Sequence, residues 1–284
     1  MNRIVLIIVV VFLFSTAASA QLNWETVHTG EFGATIGGAH YFGDLNTRAA
    51  FNRPKPAVGV FFRKQFGNYV AVRIAGHFAQ LGYSDTYSKN EFQRLRNLSF
   101  NTNIYEVTLQ GDFNFFKFVP EDPTHNFTPY VTLGIGVMNF DPYAYLDGVK
   151  YLLRPLGTEG QTIASTGRTP YSTTAIVVPF GVGIKYNLTE KINISFEVAH
   201  RFTNTDYIDD VSTTYVGINS FQPGPNGTFS ETQLLQDRSY EISGKYDGFK
   251  AGQQRGFSKQ KDQYIIAEMG ISFNLSTYRC PSAN

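Results

Sequence analysis

Residues Lys191 to Thr203 read Lys-Ile-Asn-Ile-Ser-Phe-Glu-Val-Ala-His-Arg-Phe-Thr. One set of alternate positions holds Ile192, Ile194, Phe196, Val198 and His200; the other holds Asn193, Ser195, Glu197, Ala199 and Arg201. A period of two is the signature of a β-strand with one apolar and one polar face. The polar face here is charged, and the same pattern recurs along the chain. A continuous apolar side with charges turned inward is the arrangement of a barrel in lipid.

Working outward, the pattern predicts seven further strands. They cover residues 30–42, 57–66, 69–83, 98–118, 127–140, 174–188 and 263–275, with 191–203 the seventh of eight in order. Tyr105, Val107, Leu109, Phe113 and Phe115 oppose Glu106, Thr108, Gln110, Asp112 and Asn114. Val178, Phe180, Val182, Ile184 and Tyr186 oppose Gly181, Gly183 and Lys185. The last strand turns Ile265, Ala267, Met269, Ile271, Phe273 and Leu275 to one face and Glu268, Gly270, Ser272 and Asn274 to the other.

The connections alternate in length. Turns after the second, fourth and sixth strands are short, whereas the others are long, notably 84–97, 141–173 and 204–262. Bacterial barrels place short turns in the periplasm and long loops outside. The expectation is an all-β, eight-stranded antiparallel transmembrane β-barrel over residues 21–275 with long extracellular loops and both termini periplasmic. A soluble lipocalin-like barrel or sandwich would want a polar outer face, which this sequence lacks.

Residues 1–20 read as an export signal: Arg3, an apolar run from Ile4 to Phe14, then Ala18-Ser19-Ala20. That run is too short to span a bilayer comfortably. Seventeen Tyr and 25 Phe in 284 residues suit aromatic girdles. A net charge of +1 gives no argument for nucleic acid, and a single Cys excludes an internal disulfide framework. Residues 276–284 form a tail beyond the last strand.

The inward positions bring Arg73, Lys185 and Arg201 together with Glu106, Asp112, Glu197 and Glu268. Eight strands enclose only enough space for side chains, so these charges should pair and plug the interior rather than line a pore. No catalytic constellation is evident: His77 and His200 have opposite strand parity, and no His-rich metal spacing occurs. Gly134-Ile135-Gly136 and Gly181-Val182-Gly183 lie inside strands, where close backbone packing is the better reading than phosphate binding. Asp206, Asp209 and Asp210 could hold Ca²⁺, but their spacing matches no calcium loop, and an acidic solvated loop is favoured. No cofactor or metal is expected.

Several segments carry a resemblance. Leu153-Arg154-Pro155-Leu156-Gly157-Thr158-Glu159-Gly160-Gln161 and Thr205-Asp206-Tyr207-Ile208-Asp209-Asp210-Val211-Ser212-Thr213 resemble segments of the PorG family. Phe127-Thr128-Pro129-Tyr130, Gly134 to Val137, and the closing Tyr278-Arg279-Cys280-Pro281 are similar too. PorG-like proteins are outer-membrane components of the type IX secretion system of Bacteroidota. The resemblance implies a non-enzymatic barrel, embedded in outer-membrane lipids, that docks a periplasmic ring of PorK-like lipoprotein and PorN-like subunits. On that basis Cys280, flanked by Tyr278 and Pro281, is a candidate tether to the ring lipoprotein, the other reading being a free thiol on a frayed end. The competing expectation is a stand-alone barrel, porin-like or adhesive through its loops.

Overall fold

A computed structural model describes residues 28–276 except 121 and 247. The signal segment 1–20, Trp24, and the tail with Tyr278, Cys280 and Pro281 lie outside the described residues. Ten strands are present among the described residues: β1 His28–Phe42, β2 Lys55–Phe66, β3 Val70–Ser84, β4 Ser99–Asn114, β5 Phe127–Asn139, β6 Tyr143–Leu146, β7 Val149–Leu152, β8 Thr174–Thr189, β9 Ile192–Thr203 and β10 Gln263–Ser276.

Eight of them close into an antiparallel barrel in the order β3-β2-β1-β10-β9-β8-β5-β4, with β3 pairing back to β4. Every strand lies beside its sequence neighbour in the barrel, and the β3–β4 pairing closes the eight strands on themselves. The remaining two, β6 and β7, form a hairpin in the loop after β5, joined to β4 through Asn101 and Tyr143. Strand limits agree with the sequence expectation to within a few residues. The largest difference is at β4, which ends at Asn114 rather than 118 because Phe115 and Phe116 already belong to the turn.

Alternation decides which side chains go where. In β4 burial switches residue by residue from Tyr105 to Asn114, and β8 behaves likewise. Outward positions are large and apolar: Ile36, Val60, Ile74, Leu109, Ile135 and Met269 are each more than half exposed. Inward positions are polar, charged or small. Gly136 is small because an added Cβ would sit 2.3 Å from the Val107 carbonyl oxygen. Gly183 is small because the same atom would meet the Tyr130 ring at 2.5 Å. Both glycine pairs singled out in the sequence thus sit inside strands.

The apolar core is not at mid-barrel. Tyr41, Leu81, Phe100, Phe140, Ile208 and Tyr264 belong to one buried cluster at the loop end, where the upper strands meet the long loops. These long connections carry secondary structure of their own. The segment 84–97 folds into a 3-10 turn, Asp85–Tyr87, and a helix, Glu91–Arg96, started by the Asn90 side chain accepting from the Phe92 amide. In 204–262, helix Glu231–Gln236 opens on a capping box between Ser230 and Gln233. The loops therefore form a folded cap on one end of the barrel, while the other end carries only turns.

Candidate functional site

Two buried polar regions stand out, one in the barrel lumen and one in the cap. The strand register builds the lumen in tiers, starting at the short-turn end. There Arg63 spans Glu31 at 2.5 Å and Asp112 at 2.6 Å, and Lys185 approaches Glu31 at 3.5 Å. Above them Arg73 meets Glu197 at 2.8 Å and Asp112 at 3.5 Å, and Tyr130 donates to Glu197 at 2.7 Å. Nearest the cap, the two ring nitrogens of His77 face Glu106 and Glu268, each at 3.3 Å, with Arg201 at 3.6 Å from Glu106.

All seven charged residues singled out for the interior are brought into this lumen, and each is at most 3% exposed. Glu31, Arg63 and His77 belong to the network as well. Their strand parity was readable, but Glu31 sits in a Gly-rich strand with weak alternation. Register also explains a feature that looks unfavourable: Glu197 lies directly opposite Glu268 on the neighbouring strand. The conflict is resolved across the lumen, since Arg73 reaches the first and His77 the second.

The cap is organised by carboxylates too. Glu159 accepts the Ser212 and Thr213 amides at 2.9 and 3.0 Å, the Thr213 hydroxyl at 2.6 Å, and Arg255 at 3.1 Å. Asp210 accepts the Tyr171 hydroxyl at 2.7 Å and the Thr158 hydroxyl. The loop segments 153–161 and 205–213 thus pack against each other. A second clamp is Arg96, held by both oxygens of Asp85 at 2.7 Å and donating to the Asp44 carbonyl at 3.0 Å.

Asp206, Asp209 and Asp210 are buried, at 3%, 1% and 0% exposure, which overturns the solvated acidic loop. The Tyr41 hydroxyl lies 2.5 Å from Asp209 and 3.0 Å from Asp262, while the Val211 and Ile208 amides bind the other oxygens of the two carboxyls. A phenol has one proton to donate. The second carboxyl fits by donating its own proton to the phenol oxygen, so at least one of the pair is held as the acid. Burial, and then each group's aspartate neighbours, push both acids well above the ordinary carboxyl range. Burial likewise raises Asp206 to about 7, and Asp44 and Asp210 to about 6. Among the described residues, no group of three or more His, Cys, Asp or Glu is arranged to hold a metal ion.

His77 is in the lumen and His200 is on the outer face, its Nε2 donating to the Gln263 Oε1 at 2.6 Å, so the two do not meet.

Residues 2–226 match the family described as Domain of unknown function (DUF6089). The chain belongs to the DUF6089 family. The match ends within the long loop before β10. No curated protein matches. Among solved structures, Neisserial surface protein A is similar at 9% identity and a TM-score of 0.42, covering 87% of this chain and 97% of that one. A major outer membrane protein from Thermus thermophilus is similar at 13% identity and a TM-score of 0.38, over 87% and 100%. Ail of Yersinia pestis is similar at 12% identity and a TM-score of 0.37, over 87% and 99%.

Proposed function

We propose that this DUF6089 chain is a non-conducting, non-enzymatic outer-membrane barrel that anchors a rigid cap and docks partners, rather than a channel. The observation that carries the reading is inversion. The outer wall is a belt of exposed aliphatic side chains, while the lumen holds five carboxylates and their cations. Barrel strands of 12 to 16 residues are long enough to cross a bilayer when tilted. Aromatic side chains such as Phe66, Tyr69, Phe113, Phe115 and Phe127 are exposed toward the short-turn end, the place of an interfacial girdle. Charges so placed fill the lumen and leave no continuous water path. The test is reconstitution into planar bilayers. Membrane-inserted protein should show no steady conductance, and a large stable conductance would replace the reading with a porin.

The finer reading is that the barrel serves type IX secretion, docking a PorK/PorN-like ring at its periplasmic end. It rests on the PorG resemblance and is supported by one feature of the fold: the two loop segments most specific to that resemblance are mutually bonded through Glu159 and Asp210. Such mutual dependence suits a shared cap architecture. Affinity purification of the tagged barrel from outer membranes should bring down a ring lipoprotein. Recovery of the barrel alone, after crosslinking in intact cells, would favour a stand-alone surface protein. The Cys280 tether is checked in the same preparation on non-reducing gels, where Cys280→Ser should abolish any adduct while leaving the barrel inserted.

A further inference from the structure

Above β2 the barrel wall has a notch. The last β2 pairing with β1 is Lys55 with Ala39, yet β1 continues to Phe42 and β3 to Ser84. The loop from Gly43 to Pro54 folds into this notch and meets the 85–98 segment, leaving an open cleft of about 260 Å³. Its floor is rigid. Asn46 binds the Tyr41 carbonyl at 2.8 Å and the Ala50 amide at 2.9 Å, Gln93 accepts the Ser88 hydroxyl at 2.6 Å, and Ala49 is held at a left-handed φ of 49°. Asn52, which accepts the Tyr83 hydroxyl at 3.2 Å, and Thr47 add polar groups, and Tyr87 adds exposed ring surface above the buried Tyr83.

The charge is one-sided. Arg48 and Lys89 line the cleft, no acidic residue does, and neither cation has a carboxylate partner among the described residues. A third cation, Arg53, is held 4.2 Å above the Tyr87 ring. The nearest acid in the adjoining turn, Asp85, is already bound on both oxygens by Arg96.

We propose that this cleft binds a sugar phosphate. Arg48 and Lys89 supply the phosphate contacts, and the exposed Thr47 and Asn52 side chains offer hydrogen bonds to ring hydroxyls, the Asn46 and Gln93 amides being spent on the floor itself. The exposed Tyr87 ring offers apolar surface to the C–H face of a pyranose on the side that Arg53 leaves open. The volume suits one sugar residue, below the usual range for larger ligands. The phosphosugar is either free or the headgroup of a glycolipid in the leaflet around the cap. This assignment rests on the cleft alone and stands whether or not the barrel docks a secretion ring.

The test uses the full mature chain folded in detergent micelles, titrated by calorimetry with glucosamine 1-phosphate, glucosamine and inorganic phosphate. Saturable binding of the sugar phosphate, at least about tenfold tighter than either fragment, is expected. The double variant Arg48→Ala/Lys89→Ala should weaken it at least about tenfold. Tyr87→Ala should weaken it about fivefold, with heat-modifiable migration on gels unchanged in both. Repeating the titration in phosphatidylcholine vesicles with and without lipopolysaccharide separates the sources. Loss of free-ligand binding only with lipopolysaccharide identifies a lipid headgroup, and unchanged binding identifies a soluble phosphosugar. Equal binding of inorganic phosphate, or wild-type affinity in the double variant, overturns the proposal.

Discussion

The lumen and the cap both bury carboxylates, but they neutralise them differently. In the lumen Glu31, Glu106, Asp112, Glu197 and Glu268 each have a basic side chain within 3.6 Å. In the cap Asp44, Asp206, Asp209 and Asp262 form no ion pair among the described residues; they accept amides and hydroxyls and face one another. The difference follows from how each region is built. Barrel strands in fixed register place long cations opposite carboxylates on neighbouring or facing strands. Loops folding over an apolar core put the aspartates where backbone amides point inward, and protons take the role the cations have below. Charge in the lumen, as at the Glu159 and Asp85 clamps of the cap, therefore depends on partners, whereas charge in the cap's aspartate cluster depends on pH.

The largest effect should come from breaking a lumen pair. Arg73→Leu strips Glu197 of its cation and leaves Asp112 with Arg63 alone. Removing one member of a buried pair costs about 3–5 kcal/mol. Urea unfolding from lipid vesicles should show a loss of that order, with a weaker heat-resistant band. The double variant Arg73→Leu/Glu197→Leu should recover part of the loss. Equal or greater loss in the double variant would mean that the tiers act through packing, not charge.

Next in size is the cap's own clamp. Glu159→Ala removes the acceptor for two amides, one hydroxyl and Arg255 at once. Hydrogen bonds to charged groups contribute about 1.5–3 kcal/mol each, so with water replacing part of the four lost bonds the segment 205–213 should be destabilised locally by at least about 3 kcal/mol. Limited proteolysis should then cut there while the barrel band on gels stays intact. Coupled loss of the barrel would show the two regions to be one cooperative unit.

How far the sequence predicts these regions depends on where the constraint lies. The strands are readable because alternation over ten or more residues is a local signal, as at Tyr105 to Asn114. Arg73, Glu106, Asp112, Lys185, Glu197, Arg201 and Glu268 follow from parity alone. Glu31 was missed because its strand is mostly Gly, Ala and Thr, with little apolar contrast on its two faces. The cap is much less legible. Thr205 to Thr213 has the composition of a solvated loop, and nothing near it in sequence announces that Asp262 and Tyr41 close over Asp209. Glu159 finds Arg255 some 96 residues away. Long-range burial of this kind leaves no periodicity. The one trace was the resemblance of two loop segments, which the fold shows to be in contact.

A smaller effect sharpens the contrast through pH. A carboxyl whose folded pKa is raised holds its proton to higher pH than in the unfolded chain, so the stability it contributes falls as pH rises. For Asp44 and Asp210 the window runs from about 3.8 to about 6, and for Asp206 from about 3.8 to about 7. Amide exchange across 205–213, corrected for the intrinsic pH dependence, should show stronger protection at pH 5 than at pH 8. Protection that rises toward pH 8 would mean that a cation, not protons, neutralises the cluster.

The smallest effect is also the most discriminating, since it asks the same chemical change of both regions. Asp262→Asn keeps an oxygen to accept the Ile208 amide, now 2.9 Å from the carboxylate, and supplies an N–H to donate to the Tyr41 oxygen. Tyr41 then still donates to Asp209. The amide thus reproduces the protonated acid, with no proton to lose. At pH 5 the variant should match the wild type to within about 0.5 kcal/mol, because the wild type is already neutral at this position. At pH 8 it should be as stable or more so, and its cap protection should vary less with pH. Asp112→Asn in the lumen should do the opposite at every pH in this range, since Arg63 and Arg73 lose the charge they surround. If Asp262→Asn instead opens the cap at pH 5, the carboxyl is ionised in the folded protein, and Asp262 as the protonated partner of Tyr41 is the wrong description of the cluster.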